Sequence, residues 1–197
     1  MKKLTTILLL LTVGFSLQAD GLVGNKYYSF GYALSQFDDT TIDDAYGNFH
    51  NVNASINHPI HDNVDFTAGA GYTFADDVLE SNAVGLNAGI RAHLNPDEAV
   101  NPFIRVGIDY VDVELTDAAG NEISDDNTSL ALGLGVQIMA NDDTYIIPEA
   151  RYNDDSEVWQ FAVTLGTWFD DSLGGSITPS FDEDENFTIA ANINFAY

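Results

Sequence analysis

The chain has 197 residues, 45% of them hydrophobic, with no cysteine and a formal net charge of −25 at pH 7. So acidic a balance excludes a nucleic-acid partner, which demands a basic surface, and simple electrostatic docking onto anionic lipid. The lack of cysteine excludes a disulfide framework, so an exported chain of this kind must draw its stability from a large core or from a closed hydrogen-bonded sheet.

The chain opens Met1-Lys2-Lys3, runs through the apolar stretch Ile7 to Leu11, and reaches Phe15 and Ala19 before Asp20. A basic end, a short apolar run and a small residue predict a secretory signal peptide over 1–19, with Leu17 a departure from the usual small residue two before the cut. Residues 20–197 then form one domain. No cysteine follows the signal, which excludes a lipid-anchored lipoprotein. No later stretch approaches 18 consecutive apolar residues, so a membrane form of the chain crosses as strands. Without Lys2 and Lys3, the cations are Lys26, Arg91, Arg105 and Arg151, against 31 acidic residues.

Ten segments then alternate with a period of two, the mark of strands whose faces differ. The first, 25–36, sets Tyr28, Phe30, Tyr32 and Leu34 against Ser29, Gly31 and Ala33. The second, 47–57, sets His50, Val52, Ala54 and Ile56 against Asn51, Asn53 and Ser55. The third, 64–74, sets Phe66, Ala68, Ala70, Tyr72 and Phe74 against Thr67, Gly69, Gly71 and Thr73; the fourth, 82–94, sets Val84, Leu86, Ala88 and Ile90 against Gly85, Asn87, Gly89 and Arg91. The fifth, 103–115, sets Ile104, Val106, Ile108 and Tyr110 against Arg105, Gly107 and Asp109; the sixth, 128–140, sets Leu130, Leu132, Leu134 and Val136 against Ala131, Gly133, Gly135 and Gln137. The seventh, 144–153, carries Ile146, Pro148, Ala150 and Tyr152 against Glu149 and Arg151; the eighth, 158–169, Trp159, Phe161, Val163 and Leu165 against Gln160, Ala162 and Thr164. The ninth, 173–181, is short and glycine-rich, and the tenth, 187–197, sets Phe187, Ile189, Ala191, Ile193, Phe195 and Tyr197 against Thr188, Ala190, Asn192 and Asn194.

Gly and Asn are poor strand residues, yet here they fall almost wholly on the non-greasy parity. A crowded lumen needs small side chains and polar groups that pair. Asp65, Arg91, Arg105, Asp109, Glu149 and Arg151 share that parity, as expected where a charge on a lipid face costs roughly 2–4 kcal/mol. Lys26 is the exception, at the very start of its strand, where a long side chain reaches head groups. In a soluble barrel the polar face would carry Lys and Glu instead.

The connections after the odd strands include the two longest, 37–46 and 116–127, and are rich in acid. Outer-membrane barrels keep both termini in the periplasm and their longer loops outside, which an even strand number satisfies. The signal peptide, the strand pattern and the terminal Asn194-Phe195-Ala196-Tyr197 together resemble the small outer-membrane β-barrel proteins of Gram-negative bacteria, of the porin-like and outer-membrane-protein-A/X type. The expected fold is therefore all-β: a closed antiparallel up-and-down transmembrane β-barrel of ten strands, with eight as the alternative. The resemblance implies a cell outer membrane location, contact with lipid and lipopolysaccharide, and Phe195 and Tyr197 as the membrane-insertion signal that the barrel-assembly machinery reads.

Two groups of residues stand out as candidate sites. The lumen set Asp65, Arg91, Arg105, Asp109, Glu149 and Arg151 balances three acids with three arginines. It reads as an ion-pair plug in preference to a constriction tuning ion passage. The acidic stretches Asp38-Asp39, Asp43-Asp44, Asp76-Asp77, Asp125-Asp126, Asp154-Asp155 and Asp182 to Glu185 read as a solvated surface, with divalent cations bridging them to lipopolysaccharide as the alternative. His58-Pro59-Ile60-His61 reads as a turn rather than a metal pair. No nucleophile–base pair or phosphate-binding glycine loop stands out, so neither enzyme activity nor a cofactor or metal is expected. The expected role is structural, or a narrow pore for small solutes and ions. The alternatives are a surface adhesion protein acting through its acidic loops and, further off, a soluble periplasmic ligand-binding barrel.

Overall fold

The computed structural model describes residues 22–36, 38, 46–75, 81–95, 98–116 and 120–197. Its strands are β1 (Tyr27–Gln36), β2 (Phe49–His61), β3 (Val64–Ala75), β4 (Ser81–His93), β5 (Val100–Thr116), β6 (Glu122–Met139), β7 (Thr144–Asn153), β8 (Val158–Trp168), β9 (Leu173–Asp182) and β10 (Phe187–Ala196). Each pairs antiparallel with its neighbours in sequence, and β1 pairs with β10 to close the barrel. Closure satisfies the backbone groups that an open edge would leave bare in lipid. It also sets aside the eight-strand alternative, since β2 and β9 are complete strands. The signal stretch 1–19, Asp39, Asp43-Asp44 and Asp76-Asp77 lie outside the described residues.

The oily parity faces outward. Phe30 is 56% exposed, Leu86 49%, Leu132 44% and Ile193 53%, while Ser29 and Asn194 on the alternate parity are sealed inside. A soluble barrel would bury the first set. The β1–β10 seam is held on the outside by aromatic contacts: Tyr28 stacks on Tyr197 at 4.3 Å between centroids, and Phe30 meets Phe195 edge-on at 6.1 Å.

The inward glycines have a purpose beyond slimness. Phe103 lies directly opposite Gly135, Tyr145 opposite Gly166, and Trp168 opposite Gly174. Each aromatic ring lies over its glycine, where an added Cβ would collide with it. Inward aromatic residues thus fill one end of the lumen because the facing strand offers no side chain there.

Two sequence expectations need correction. His58 to His61 is no turn but the end of β2, with a register irregularity between Pro59 and His61; a proline and a bulge are compatible at a strand end. The expected loop 116–127 is mostly strand: β5 and β6 remain paired out to Thr116 and Glu122. Beyond Ala131, β6 has no β7 partner, while β5 stays paired with β4 out to Ser81–Leu115, so the outer part of this hairpin projects past the wall on its β7 side and its tip past β4.

Pro102, Pro148 and Pro179 face outward on β5, β7 and β9. Pro148 and Pro179 interrupt the ladders: the β6–β7 register skips from Gly135–Glu149 to Ile138–Ile146, and β8–β9 from Ala162–Ser180 to Leu165–Ile177. Proline has no N–H to give. An apolar depression of about 780 Å³ on the outer wall includes all three prolines. In the β8–β9 turn, Asp170 accepts hydrogen bonds from the backbone N–H groups of Ser172 and Leu173 and from the Ser172 hydroxyl. These donors favour its ionised form and hold its pKa below the ordinary carboxylate value.

Candidate functional site: the filled lumen

The lumen is filled in layers, starting at the end that carries Leu22 and Tyr197. There the segment before β1 turns into the mouth. The Val23 N–H donates to Gln137 Oε1 at 2.7 Å and the Gly24 N–H to Asp65 Oδ2 at 2.9 Å. The Val23 side chain packs with Phe103, Tyr145 and Ile147, flanked by Leu22, Met139 and Trp168. Gly24 has φ +84°, a conformation natural only to glycine, and it bends the chain back out to β1. Asn57 holds the exit by donating from Nδ2 to the Asn25 carbonyl at 2.6 Å.

Directly inside lies the first ion pair. Asp65 and Arg91 are cross-strand partners on β3 and β4. Arg91 donates from Nε at 3.3 Å and from Nη2 at 3.1 Å to Asp65 Oδ2, and from Nη2 to Asn57 Oδ1 at 3.0 Å. Its guanidinium also lies 5.6 Å from the centroid of Phe103, a cation–π approach. His93 brings Nε2 to 3.6 Å from Asp65 Oδ1. All three side chains are sealed from solvent, and a buried carboxylate and guanidinium persist only when paired and hydrogen-bonded.

The second ion pair sits one layer on. Glu149 receives Arg151 through two bonds, Nε to Oε1 at 2.8 Å and Nη2 to Oε2 at 2.9 Å, the fork geometry that makes such pairs strong. Arg105 brings Nε to 3.5 Å from the same Oε1. Gly133 stands opposite Arg105 on one side and Arg151 on the other. A Cβ there would lie 2.8 Å from Glu149 Oε1, so the glycine makes room for the crossing. Asp109, Arg105, Arg151, Asn87 and Thr67 line a cavity of about 30 Å³ beside it, room for a single water. At the far end the filling turns apolar again: Phe49, Ala83, Val111, Val113 and Leu115 are all buried.

The six charges expected to cluster therefore form two groups: Asp65 with Arg91, and Arg105, Asp109, Glu149 and Arg151 together. Sequence reading put His93 and Gln137 on the inward parity but gave neither a part in the charged set. It missed the roles of Asn57 and of the segment 22–25, which has no periodicity to reveal it. The inward Tyr145 and Ile147 were hidden beside the outward apolar Ile146 and Pro148, whereas Val111 and Val113 alternate with Asp112 and Glu114 but with the apolar set turned inward, opposite to the parity rule of the membrane zone. Among the described residues no three His, Asp or Glu side chains form a metal-binding group. Phe195 and Tyr197 lie on the outer face at the seam, where Tyr197 also meets His58 Nδ1 through its hydroxyl at 3.0 Å.

The model of the outer membrane protein beta-barrel domain family matches residues 5–195. The chain belongs to that family. This outer-membrane β-barrel matches no curated protein sequence. Among solved structures, it is similar to the translocator domain of the autotransporter NalP from Neisseria meningitidis, at 12% identity and TM-score 0.51, covering 95% of this chain and 93% of that one. It is also similar to Ail, the attachment invasion locus protein of Yersinia pestis, at 16% identity and TM-score 0.44, covering 87% and 99%. A third is the N-terminal barrel domain of Pseudomonas aeruginosa OprF, at 11% identity and TM-score 0.45, covering 89% and 100%. At such identities the likeness speaks for the fold alone. Family membership puts this barrel in the outer membrane, with lipid against its oily face.

Proposed function

We propose that this outer-membrane barrel is chiefly a structural element whose lumen is closed to ions, with no enzymatic role. One observation carries the reading: the Arg105–Glu149–Arg151 crossing with Asp109 beside it, in series with the sealed Asp65–Arg91 pair, occupies the polar middle of the barrel with three arginines and three carboxyl groups. An ion entering would have to displace guanidinium–carboxylate bonds in a low dielectric, where they are strong. The termini lie on the periplasmic side and the projecting hairpin outside, in line with the usual orientation of such barrels. Residues 1–19 are the cleaved signal, and the assembly machinery and lipopolysaccharide are the partners this reading implies. The test is single-channel recording in planar bilayers. The expected trace shows small steps or none; large, stable steps overturn the closed lumen.

A second reading, adhesion at the cell surface, is favoured by the projecting hairpin. Asp112 and Asp126 stand directly opposite each other across β5 and β6, with Glu114 beside them. Like charges so placed repel, and a cationic partner would relieve that repulsion.

A further inference from the structure

The three prolines of the outer wall lie in one row. Pro102 stands opposite Val136, and Pro148 opposite Val163. The two ladder interruptions fall at Val136–Pro148 and Val163–Pro179, so the row runs Pro102, Val136, Pro148, Val163, Pro179 across β5 to β9. Two residues along each strand, a second outward row runs in register: Ile104, Leu134, Ala150, Phe161, Phe181. Phe161 stacks on Phe181 at 5.5 Å in it, and Leu134 and Phe181 stand out at 59% and 57% exposure.

Between the two rows runs a trough. It is the apolar depression of about 780 Å³, and both rows line it. Its floor is the intervening inward row, Phe103, Gly135, Glu149, Ala162, Ser180, which turns only backbone to the outside. The banks are about 6.8 Å apart, two residues of strand. That is the width of one hydrocarbon chain in contact at about 3.5 Å with each side. Ala92 and Leu94 on β4 line one end of the trough and Phe187 on β10 the other. It therefore crosses six strand intervals, about 29 Å of wall. One leaflet of hydrocarbon is about 15 Å thick, half of the core, so the trough holds a whole acyl chain even on the slant that strand tilt imposes.

We propose that the trough is a lipid site, seating one acyl chain of a phosphatidylethanolamine whose head group lies at the Leu94 end. Family membership puts lipid against this face, so the trough continues an established interface. Inside a bilayer the hydrophobic effect does not favour one apolar surface over another, and packing decides. A chain in the trough touches wall on three sides, where a chain against a smooth wall touches it on one. The walls are also stiff. Proline and alanine have no rotamer freedom to lose and valine has little, so ordering a chain there costs the protein little. The Leu94 end selects the head group. Leu94 is 72% exposed, Glu98 stands in the turn after it, and residues 94–100 contain no Lys or Arg. Arg91, Arg105 and Arg151 are turned into the lumen, and Lys26 precedes β1, three strands from β4. That end suits the ammonium of an ethanolamine head group and offers no cation to the phosphates of lipid A. It lies on the side of the termini, the periplasmic leaflet in the orientation proposed above.

The test is native mass spectrometry of the delipidated barrel in detergent, with phosphatidylethanolamine, phosphatidylglycerol and lipid A added in turn. Wild type should hold one phosphatidylethanolamine at lipid concentrations where the other two leave it bare. Val136→Trp with Val163→Trp, which lays two indoles across the trough, should lose that adduct. Equal lipid uptake by wild type and variant overturns the site, as does a ladder of adducts with no favoured single lipid. Preference for lipid A or phosphatidylglycerol overturns the head-group assignment. A dimer that only the variant loses gives the face to a second copy of the chain instead. Should the variant fail to fold, wild type in phosphatidylethanolamine nanodiscs decides. Overhauser transfer from acyl methylenes to the methyls of Val136 and Val163 should exceed that to Val52 and Val84, which stand clear of the trough; equal transfer overturns it. None of these measurements reads conductance, so the closed lumen stands or falls separately.

Discussion

Asp65 carries more than its share of the interior. One carboxylate receives Arg91, faces His93 and accepts the Gly24 N–H. Asp65→Ala leaves a sealed guanidinium with no counter-charge, a change expected to cost about 3–5 kcal/mol, read by urea unfolding in lipid vesicles. The double variant Asp65→Leu with Arg91→Leu should recover much of that loss, because an apolar pair of similar bulk removes the stranded charge. A single variant as stable as wild type would show that water reaches this layer. The sequence made these charges visible as a set, since all six fall on one parity. It left their partners hidden, because pairing depends on register. Asp65 meets Arg91 only because those two positions are directly opposite. Arg105 reaches Glu149 because Gly133 separates it from Arg151.

At the scale of single strands, alternation in the membrane zone was enough to place all ten. It failed where the chain left that zone. The stretch 116–127 is acidic and rich in turn-forming residues, so it read as loop. Yet Val111, Val113 and Leu115 keep their inward parity, and that continuity carries β5 and β6 outward as one ribbon. The second reading of function can be tested on this ribbon alone. Replacing residues 116–122 with an Asn-Gly turn removes the tip of the projection while leaving the β4–β5 pairing, which runs out to Ser81–Leu115, intact. If the hairpin mediates adhesion, attachment of cells to surfaces should vanish while the conductance trace stays unchanged. Attachment that persists removes the hairpin as the adhesive element. The glycine seats show a second limit of alternation. Gly135, Gly166 and Gly174 were legible as lumen glycines, but the rings that cover them were not: Tyr145, for one, is followed by the outward and equally apolar Ile146.

For the molecule as a whole, the decisive contact is the seam between its first strand and its last. Tyr197 touches both Tyr28 and His58 there, and Phe195 meets Phe30. We propose Phe195 and Tyr197 as the insertion signal. Phe195→Ala with Tyr197→Ala should lower the fraction of chains that reach the heat-modifiable inserted form in a pulse-chase. Phe187→Ala, an outward aromatic at the other end of β10, serves as the comparison and should insert as wild type. Equal insertion by both variants would reduce the terminal pair to ordinary lipid contacts.

The stopper at the mouth has a kinetic consequence. Leu22 to Asn25 precede every strand, yet their seat is built from Asp65, Phe103, Gln137, Tyr145 and Ile147. Those side chains come from four strands reaching as far as β7. No local nucleus can form around Val23, and such long sequence separations are slow to close. Among the described residues, those synthesised earliest are the ones that must wait longest for their resting place.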